Sequence, residues 1–262
     1  MLVATRSAGK LRELWPMVEA AGFQPVTLDH AGVAPSLEED AIEAFDTFEE
    51  NAHAKARHFS ARSGGLAVLA DDSGLAVEAL GGAPGVRSKR WASAGRDARV
   101  PPAPRAPHPT TAAGSDLALD ATNNRALLEA LEGAANRRAK YVCVAVIAWR
   151  GGEVSARGEV AGRMLREGRG VRGFGYDPLF FSDELAKTFG EATREEKSRV
   201  SHRARAVRAV LAEYARSTRG GSGSSGRQPD QPPRSGQSSE ERLRSDHEER
   251  GDNAKGVEQG DT

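Results

Sequence analysis

The stretch YVCVAVIAW at residues 141–149 is the longest unbroken apolar run in this chain of 262 residues. Nine residues are too few to cross a bilayer as a helix, which takes about 20 residues. A run of this length is typical of a buried strand. Arg150, Gly151 and Gly152 follow as a turn, and residues 158–164 form the next strand pattern. The region therefore predicts two adjacent strands joined by a tight turn.

Helix and strand patterns alternate irregularly on both sides of this pair. In chain order, the predicted elements are a strand at 2–5, a helix with apolar positions at 11, 14, 15 and 18, a helix at 47–61, strands at 66–69 and 75–80, a helix at 122–131, the two strands above, and a helix from 193 to about 214 with a break near Ser201. Pro16 is expected to kink the first helix or to delay its start. This order predicts an α/β or α+β sheet with both hairpins and crossovers.

Composition separates the last part of the chain from the rest. Residues 217–262 contain only Leu243, Ala254 and Val257 as apolar residues, too few to offset the entropy of ordering, so we expect a disordered tail. Residues 1–216 then form the folded domain. Within it, residues 99–114 hold five of the 13 prolines, which predicts a loop insertion and favours a tolerated surface loop over a functional lid.

Overall charge excludes some partners. The chain has 37 Lys and Arg against 37 Asp and Glu, so it carries no bulk attraction for nucleic acid or an anionic membrane, and neither is an expected partner. Cys143 is the single cysteine, which fits a reducing compartment. Residues 1–3 lead directly into a strand pattern without a leader segment, so we expect a cytoplasmic protein.

The turn between the first strand and helix is a candidate phosphate site. Its sequence is TRSAGK, residues 5–10. Thr5, Ser7 and Lys10 supply donors there, and a helix N-terminus carries partial positive charge. The Walker A spacing is absent, and an ordinary turn between a strand and a helix has the same appearance.

Carboxylates near the middle of the domain suggest metal chemistry. Asp71 and Asp72 are adjacent, so in a strand or turn their side chains point apart and serve different purposes. One of them suits Mg²⁺, although an Asp-Gly turn without chemistry is the alternative. Glu43, Asn51 and Lys55 form a second candidate group, because Asn51 and Lys55 share a helix face. A solvated helix face would contain the same residue types.

Two further segments are candidates for ligand recognition. Residues 173–181, GFGYDPLFF, place aromatic residues between glycines, as in a loop that stacks on a base; a core turn is the alternative. Lys197, with Ser201, His202 and Arg203, offers donors for a phosphate or a carbonyl oxygen, unless these residues form only a basic helix face.

Taken together, these motifs resemble one family. TRSAGK, FEENAHAKA, ADDSGLAVEALGGAPGV, GFGYDPLF and EEKSRVSHRARA occur in the order found in the inosine triphosphate pyrophosphatase family, from about residue 2 to residue 211. The resemblance implies a homodimeric α/β protein with a long twisted mixed sheet and two lobes around a central cleft. It also implies Mg²⁺-dependent hydrolysis of ITP, dITP and XTP to the monophosphate and pyrophosphate.

The resemblance also implies roles for individual residues. Asp72 matches the proton acceptor and, with Glu43, a metal ligand. The implied substrate contacts are Thr5, Ser7 and Lys10 in the triphosphate-binding turn, Asn51 and Lys55 on the phosphate side, Ser73, the base loop Phe174, Gly175, Tyr176 and Asp177, the substrate lysine Lys197, and His202 and Arg203 at the purine 6-oxo edge.

Ser7 replaces the asparagine usual in the first motif, which predicts weaker phosphate binding. A related enzyme with another base preference and a nucleotide sensor without hydrolysis are the alternative functions.

Overall fold

A computed structural model describes residues 1–36, 38–93 and 113–220 of the chain. The elements are β1 Leu2–Val3, α1 Ala8–Ala20, β2 Val26–Thr27, α2 Glu38–Ile42, α3 Phe48–Ser60, β3 Val68–Val77, α4 Ala113–Ala130, β4 Arg138–Trp149, β5 Gly152–Met164, β6 Phe180–Ser182, β7 Lys187–Thr188, α5 Arg194–Val200 and α6 His202–Gly220. Two 3₁₀ segments, Glu78–Leu80 and Gly85–Ser93, follow β3.

The structure bears on the boundaries of two predicted segments, the proline-rich insertion and the C-terminal tail. Most of the proline-rich stretch 99–114 lies outside the described residues, and its last two residues open α4. The predicted tail, 217–262, starts too early, because α6 continues to Gly220. Thr218 is part of this helix, with its hydroxyl donating to the Tyr214 carbonyl at 3.0 Å. The rest of the tail lies outside the described residues.

The described strands form one mixed sheet of seven, in the order β2-β1-β3-β4-β5-β6-β7. β1 is parallel to β2 and β3, and the other pairs are antiparallel. The hairpin at the apolar run is confirmed, since Trp149 of β4 pairs with Gly152 of β5. This arrangement confirms the expected α/β class with a long mixed sheet and flanking helices.

One strand prediction is wrong. The two strands expected at 66–69 and 75–80 are a single strand, β3, which runs straight through Asp71, Asp72, Ser73 and Gly74. Every one of these residues pairs with β4. Asp, Ser and Gly favour turns locally, but a long apolar neighbour that offers a full ladder of hydrogen bonds overrides that preference.

Helix boundaries follow local capping signals. Ser7 caps α1, which begins at Ala8, so Pro16 does not delay the start of the helix, and the helix continues through it to Ala20. Thr47 caps α3, and Thr193 forms a capping box with Glu196 at the start of α5. The predicted break near Ser201 is confirmed, because Ser201 lies between α5 and α6 in an extended conformation.

Three apolar clusters leave a cleft along β3. Helix α3 covers one face of the sheet, packing on Val68 and Ala70, and α1 and α6 cover the other, packing on Leu69. The third cluster lies at the far end of the long strands and includes Leu75 and Tyr141. The polar middle of β3 separates the clusters, which gives two lobes around a cleft. No helix within the described ranges is long and apolar enough to span a membrane.

Candidate functional site

The cleft between the lobes has a volume of about 430 Å³. It is lined by the β1–α1 turn, the segment after α2, α3, the middle of β3, α4, the loop before β6 and the α5–α6 junction. Every site residue that the family resemblance implies lines it, except Asn51. Tertiary structure therefore gathers the separate motifs into one site.

The TRSAGK turn presents the N-terminus of α1 to the cleft. Ser7 is the N-cap, and its hydroxyl accepts from the Lys10 amide at 3.4 Å. The Thr5 hydroxyl accepts from the Ser7 amide at 3.1 Å. Because serine and asparagine are equally good N-caps, the replacement at position 7 preserves the helix start.

The adjacent aspartates of β3 face opposite sides of the sheet, as their alternation predicts. Asp72 points to α3, where its carboxylate accepts from the side-chain amide of Asn51 at 3.1 Å. Burial, together with the negative charge of Glu43, raises the pKa of Asp72 to about 6. The carboxylate thus remains poorly neutralised by the protein, which fits a group that receives a proton or a cation.

Asp71 lies on the other face with cations around it. Its Oδ2 is 3.1 Å from Lys10 Nζ and 3.1 Å from Arg203 Nε. Burial alone would raise the pKa of Asp71, but Lys10 and Arg203 outweigh it and hold the pKa well below its usual range. Asp71 is thus a permanent anion that orders two cations of the cleft.

Glu43 and Lys55 form an ion pair in the cleft. Lys55 Nζ is 2.6 Å from Glu43 Oε1, and also donates to the Asp71 carbonyl at 3.4 Å. The positive charge of Lys55 lowers the pKa of Glu43 to about 2 despite burial. Within the described residues, no group of three His, Cys, Asp or Glu is arranged to hold a metal. Asp72 and Glu43 nevertheless suit Mg²⁺, which takes one or two carboxylates and completes its shell with phosphates and water.

The glycine-rich loop before β6 presents one aromatic ring to the cleft. Gly173 and Gly175 adopt φ of 78° and 63° on either side of Phe174, a conformation that favours glycine. The ring packs on Gly9 of α1, where an added Cβ would lie 2.8 Å from it. Lys197 Nζ is 4.9 Å from the ring centroid.

The other two side chains of this loop stabilise it from within. Tyr176 is buried and donates its hydroxyl to the Ser88 carbonyl at 2.8 Å, so its ring belongs to the core. Asp177 is buried and accepts from the Phe174 amide at 2.9 Å and from Lys197 Nζ at 2.5 Å. In this arrangement, the Phe174 ring lines the cleft, and Asp177 determines the conformation of the loop.

The α5–α6 junction contributes His202 and Arg203. The His202 ring stacks on Tyr141 with centroids 4.6 Å apart, and its Nδ1 has no hydrogen-bond partner among the described residues. Burial and the neighbouring Arg203 lower the pKa of His202 well below its usual range, so the imidazole is neutral. Arg203 donates to Asp71 at 3.1 Å and to the Ser73 hydroxyl at 2.7 Å.

Comparison with known proteins agrees with this geometry. The sequence profile of the Ham1 family matches residues 1–213. The chain belongs to the Ham1 family. A dITP/XTP pyrophosphatase of Acidobacterium capsulatum is 46% identical over 210 residues, covering 79% of this chain and 94% of the relative. A dITP/XTP pyrophosphatase of Nitrosomonas europaea is 40% identical over 210 residues, covering 79% of this chain and 90% of the relative.

Solved structures of similar proteins share the fold. A HAM1 protein from Coxiella burnetii superposes with a TM-score of 0.63 at 31% identity, over 82% of this chain and 98% of that one. A nucleoside-triphosphatase, dITP/XTP pyrophosphatase, from Mycobacterium abscessus gives a TM-score of 0.56 at 36% identity, over 81% and 98%. The family identification made from the motifs is confirmed.

Sequence reasoning missed Glu13, which does not line the cleft but pairs with two of the cations that do. Glu13, on α1, lies 2.8 Å from Lys197 Nζ and also pairs with Arg203. Although burial opposes it, the charges of Lys197 and Arg203 lower the pKa of Glu13 to about 2. Its position three residues after Lys10, on the same helix face, was the available signal.

The sequence also gave no indication of the contacts that hold the aromatic loop to α4. Asp120 accepts from the Gly175 amide at 2.6 Å, and Asn124 donates to the Gly175 carbonyl at 3.0 Å. These residues lie more than 50 positions from the loop in sequence. Helix α4 therefore holds the turn that presents Phe174 in the Ham1 cleft.

Proposed function

We propose that this chain hydrolyses the deaminated purine nucleoside triphosphates dITP, ITP and XTP to the monophosphate and pyrophosphate, which clears them from the nucleotide pool. The observation that carries the proposal is Asp72, a buried carboxylate with a pKa of about 6, in a cleft lined by Lys10, Lys55 and Lys197. A proton acceptor amid cations is what attack on a triphosphate needs. The dITP/XTP pyrophosphatase relatives support the base class.

The triphosphate would lie along the cationic side of the cleft. The N-terminus of α1 and the ammonium groups of Lys10 and Lys55 offset its negative charge. Asp72 accepts a proton from water as the water oxygen bonds to the α-phosphorus. The bond from that phosphorus to the bridging oxygen breaks, and pyrophosphate leaves with the electron pair.

We propose Mg²⁺ as the cofactor, held by Asp72 and Glu43 together with substrate phosphate oxygens. When bound, it would supply a positive charge that stabilises the transferring and departing phosphates. The charge of a cation would also relieve the repulsion between the two carboxylates, which adds to the larger effect of burial in raising the pKa of Asp72.

Base selection would rest on stacking and on donors at the 6-position. Phe174 supplies the ring surface. Arg203 uses its Nε, Nη1 and Nη2 toward Asp71, Glu13 and Ser73, and a guanidinium has five N–H donors, so further donors remain for a 6-oxo group. The 6-amino group of adenine would meet these donors with another donor, and such mismatches cost about 10⁴-fold in discrimination.

The direct test is product analysis on a nucleotide panel. With dITP and Mg²⁺ we expect pyrophosphate as the first product, and ATP should be a poor substrate. Asp72→Asn should lower kcat by about 10²–10⁴-fold, and Asp183→Asn, at an exposed ion pair with Arg138 and Arg163, should not. Orthophosphate as the first product would point to a phosphatase. Binding of ITP without turnover would point to a sensor, and preference for a pyrimidine triphosphate to a related enzyme.

We further propose that the chain is a homodimer that acts in the cytoplasm. The family resemblance supports the dimer, and the location of the nucleotide pool supports the compartment. Light scattering on the purified chain tests the first of these: the measured mass should be twice 27.8 kDa, and a monomer at micromolar concentration would contradict it. Fractionation of the source cells tests the second.

A further inference from the structure

Both side-chain N–H donors of Asn51 are engaged within the protein, so neither is available to a substrate. It is fully buried on α3. Its Oδ1 accepts from the Phe45 amide at 3.0 Å, and its Nδ2 donates to the Phe45 carbonyl at 3.1 Å and to Asp72 Oδ2 at 3.1 Å. A side-chain amide has two N–H donors, so both are engaged within the protein. Asn51 also does not line the cleft, unlike the other residues expected to contact substrate.

The segment that Asn51 holds carries Glu43. Phe45 follows Glu43 by two positions, and its own side chain is 46% exposed, so burial of this ring contributes little to anchoring the segment. The paired hydrogen bonds from Asn51 to the Phe45 backbone therefore attach it to α3. A weaker tether lies nearby, where Arg90 donates to the Glu43 carbonyl at 3.3 Å.

We propose that Asn51 is a positioning residue that joins the Asp72 carboxylate to the Glu43 segment and contacts neither phosphate nor metal itself. One side-chain amide connects the two carboxylates that come from distant parts of the chain. It holds the Asp72 oxygen by one hydrogen bond and the backbone near Glu43 by two. The inference rests on the proposed function, because that function is what makes Asp72 and Glu43 a pair.

The test uses Asn51→Ala and Mn²⁺ as the metal probe. Binding of Mn²⁺ to the full chain without nucleotide is followed by the loss of the free-ion EPR signal. We expect the affinity to fall by about tenfold, the usual cost of losing a hydrogen-bond partner of a ligating carboxylate. At saturating Mn²⁺, the KM for dITP should change less than about threefold, since no phosphate contact is lost.

Thr188→Val is the matched control. Thr188 is also buried, does not line the cleft, and its hydroxyl donates to the Arg169 carbonyl at 2.7 Å and accepts from the Glu191 amide at 3.1 Å. Its loss should lower the thermal midpoint similarly but leave the Mn²⁺ affinity unchanged. If Asn51→Ala does not fold, Asn51→Ser replaces it, with the same expected fall in Mn²⁺ affinity.

Two results would overturn the inference. A rise of tenfold or more in KM with unchanged Mn²⁺ affinity would make Asn51 a phosphate ligand. A lower thermal midpoint with both constants unchanged would make its role purely structural. Wild-type chain that binds Mn²⁺ but does not hydrolyse dITP would refute the proposed function alone, and the Mn²⁺ affinities would still decide the role of Asn51.

Discussion

Replacement of Glu13 by glutamine should destabilise the fold in a pH-dependent way. Glu13 pairs with Lys197 and Arg203, and glutamine retains the shape of the side chain without its charge. Burial acts to raise the pKa of Glu13, but the two cations have the larger effect, so the pKa falls from 4.5 to about 2. At about 1.4 kcal/mol for each pKa unit, that difference corresponds to about 3 kcal/mol of stability at pH 7.

The pH dependence of the stability loss follows from the lowered pKa of Glu13. A carboxylate with a lowered folded-state pKa stabilises the fold above its unfolded value of 4.5, and this contribution disappears as the pH falls toward 2. The difference in unfolding free energy between wild type and Glu13→Gln should therefore be about 3 kcal/mol at pH 7 and should shrink between pH 4.5 and pH 2. The thermal midpoint should fall by about 6–12 °C at pH 7.

Urea unfolding measures the free energy of unfolding of wild type and Glu13→Gln at pH 7 and at pH 3. Glu19→Gln is the control on the same helix, since Glu19 is exposed and accepts from the Trp15 indole at 2.9 Å; we expect a change below about 0.5 kcal/mol. A loss below about 1 kcal/mol for Glu13→Gln at pH 7, or an equal loss at both pH values, would refute the reasoning. It would mean that Lys197 and Arg203 are satisfied without Glu13.

Three further predictions concern packing, base binding and the tail. Gly74→Ala should lower the unfolding free energy by at least about 2 kcal/mol, because its Cβ would lie 2.2 Å from a backbone carbonyl oxygen; Gly168→Ala, with its nearest contact at 3.4 Å, should be tolerated, and equal unfolding curves for the two would contradict this. Phe174→Leu should raise the KM for dITP by about tenfold with little change in kcat, because base stacking contributes about 1–3 kcal/mol; an unchanged KM would remove Phe174 from base binding. Truncation after Gly220 should preserve turnover in the same assay, and a loss beyond about fivefold would assign the tail a role.

Local sequence signals predicted the helix starts and the strand pair well. The predicted helix starts at 47 and 193 and the break at Ser201 are confirmed, because each depends on residues within one turn of the helix. The turn between β4 and β5 is also confirmed, because it depends on the few residues that link the two strands. In contrast, the local pattern predicts two strands within residues 66–80, where the structure has one. Local propensity cannot show that β4 supplies pairing partners through Asp71–Gly74.

Motif identity and residue role were not equally predictable. The motifs located the cleft, and nearly every residue chosen from them lines it. They did not reveal which side chains face the cleft and which hold its walls: Tyr176 belongs to the core, and the amide of Asn51 is engaged by Phe45 and Asp72. Such roles depend on hydrogen bonds between segments that no local pattern encodes.

The sequence by itself determined the family, the fold class and the set of chemical groups, because these depend on local periodicity, capping and motif order. Only the tertiary structure decided how the charges combine. Arg203 and Glu13 are 190 positions apart and form an ion pair, and Lys10 reaches Asp71 across 61 positions. Burial strengthens each of these pairings and also raises the pKa of Asp72, since both effects arise from the exclusion of water when distant segments close around the cleft.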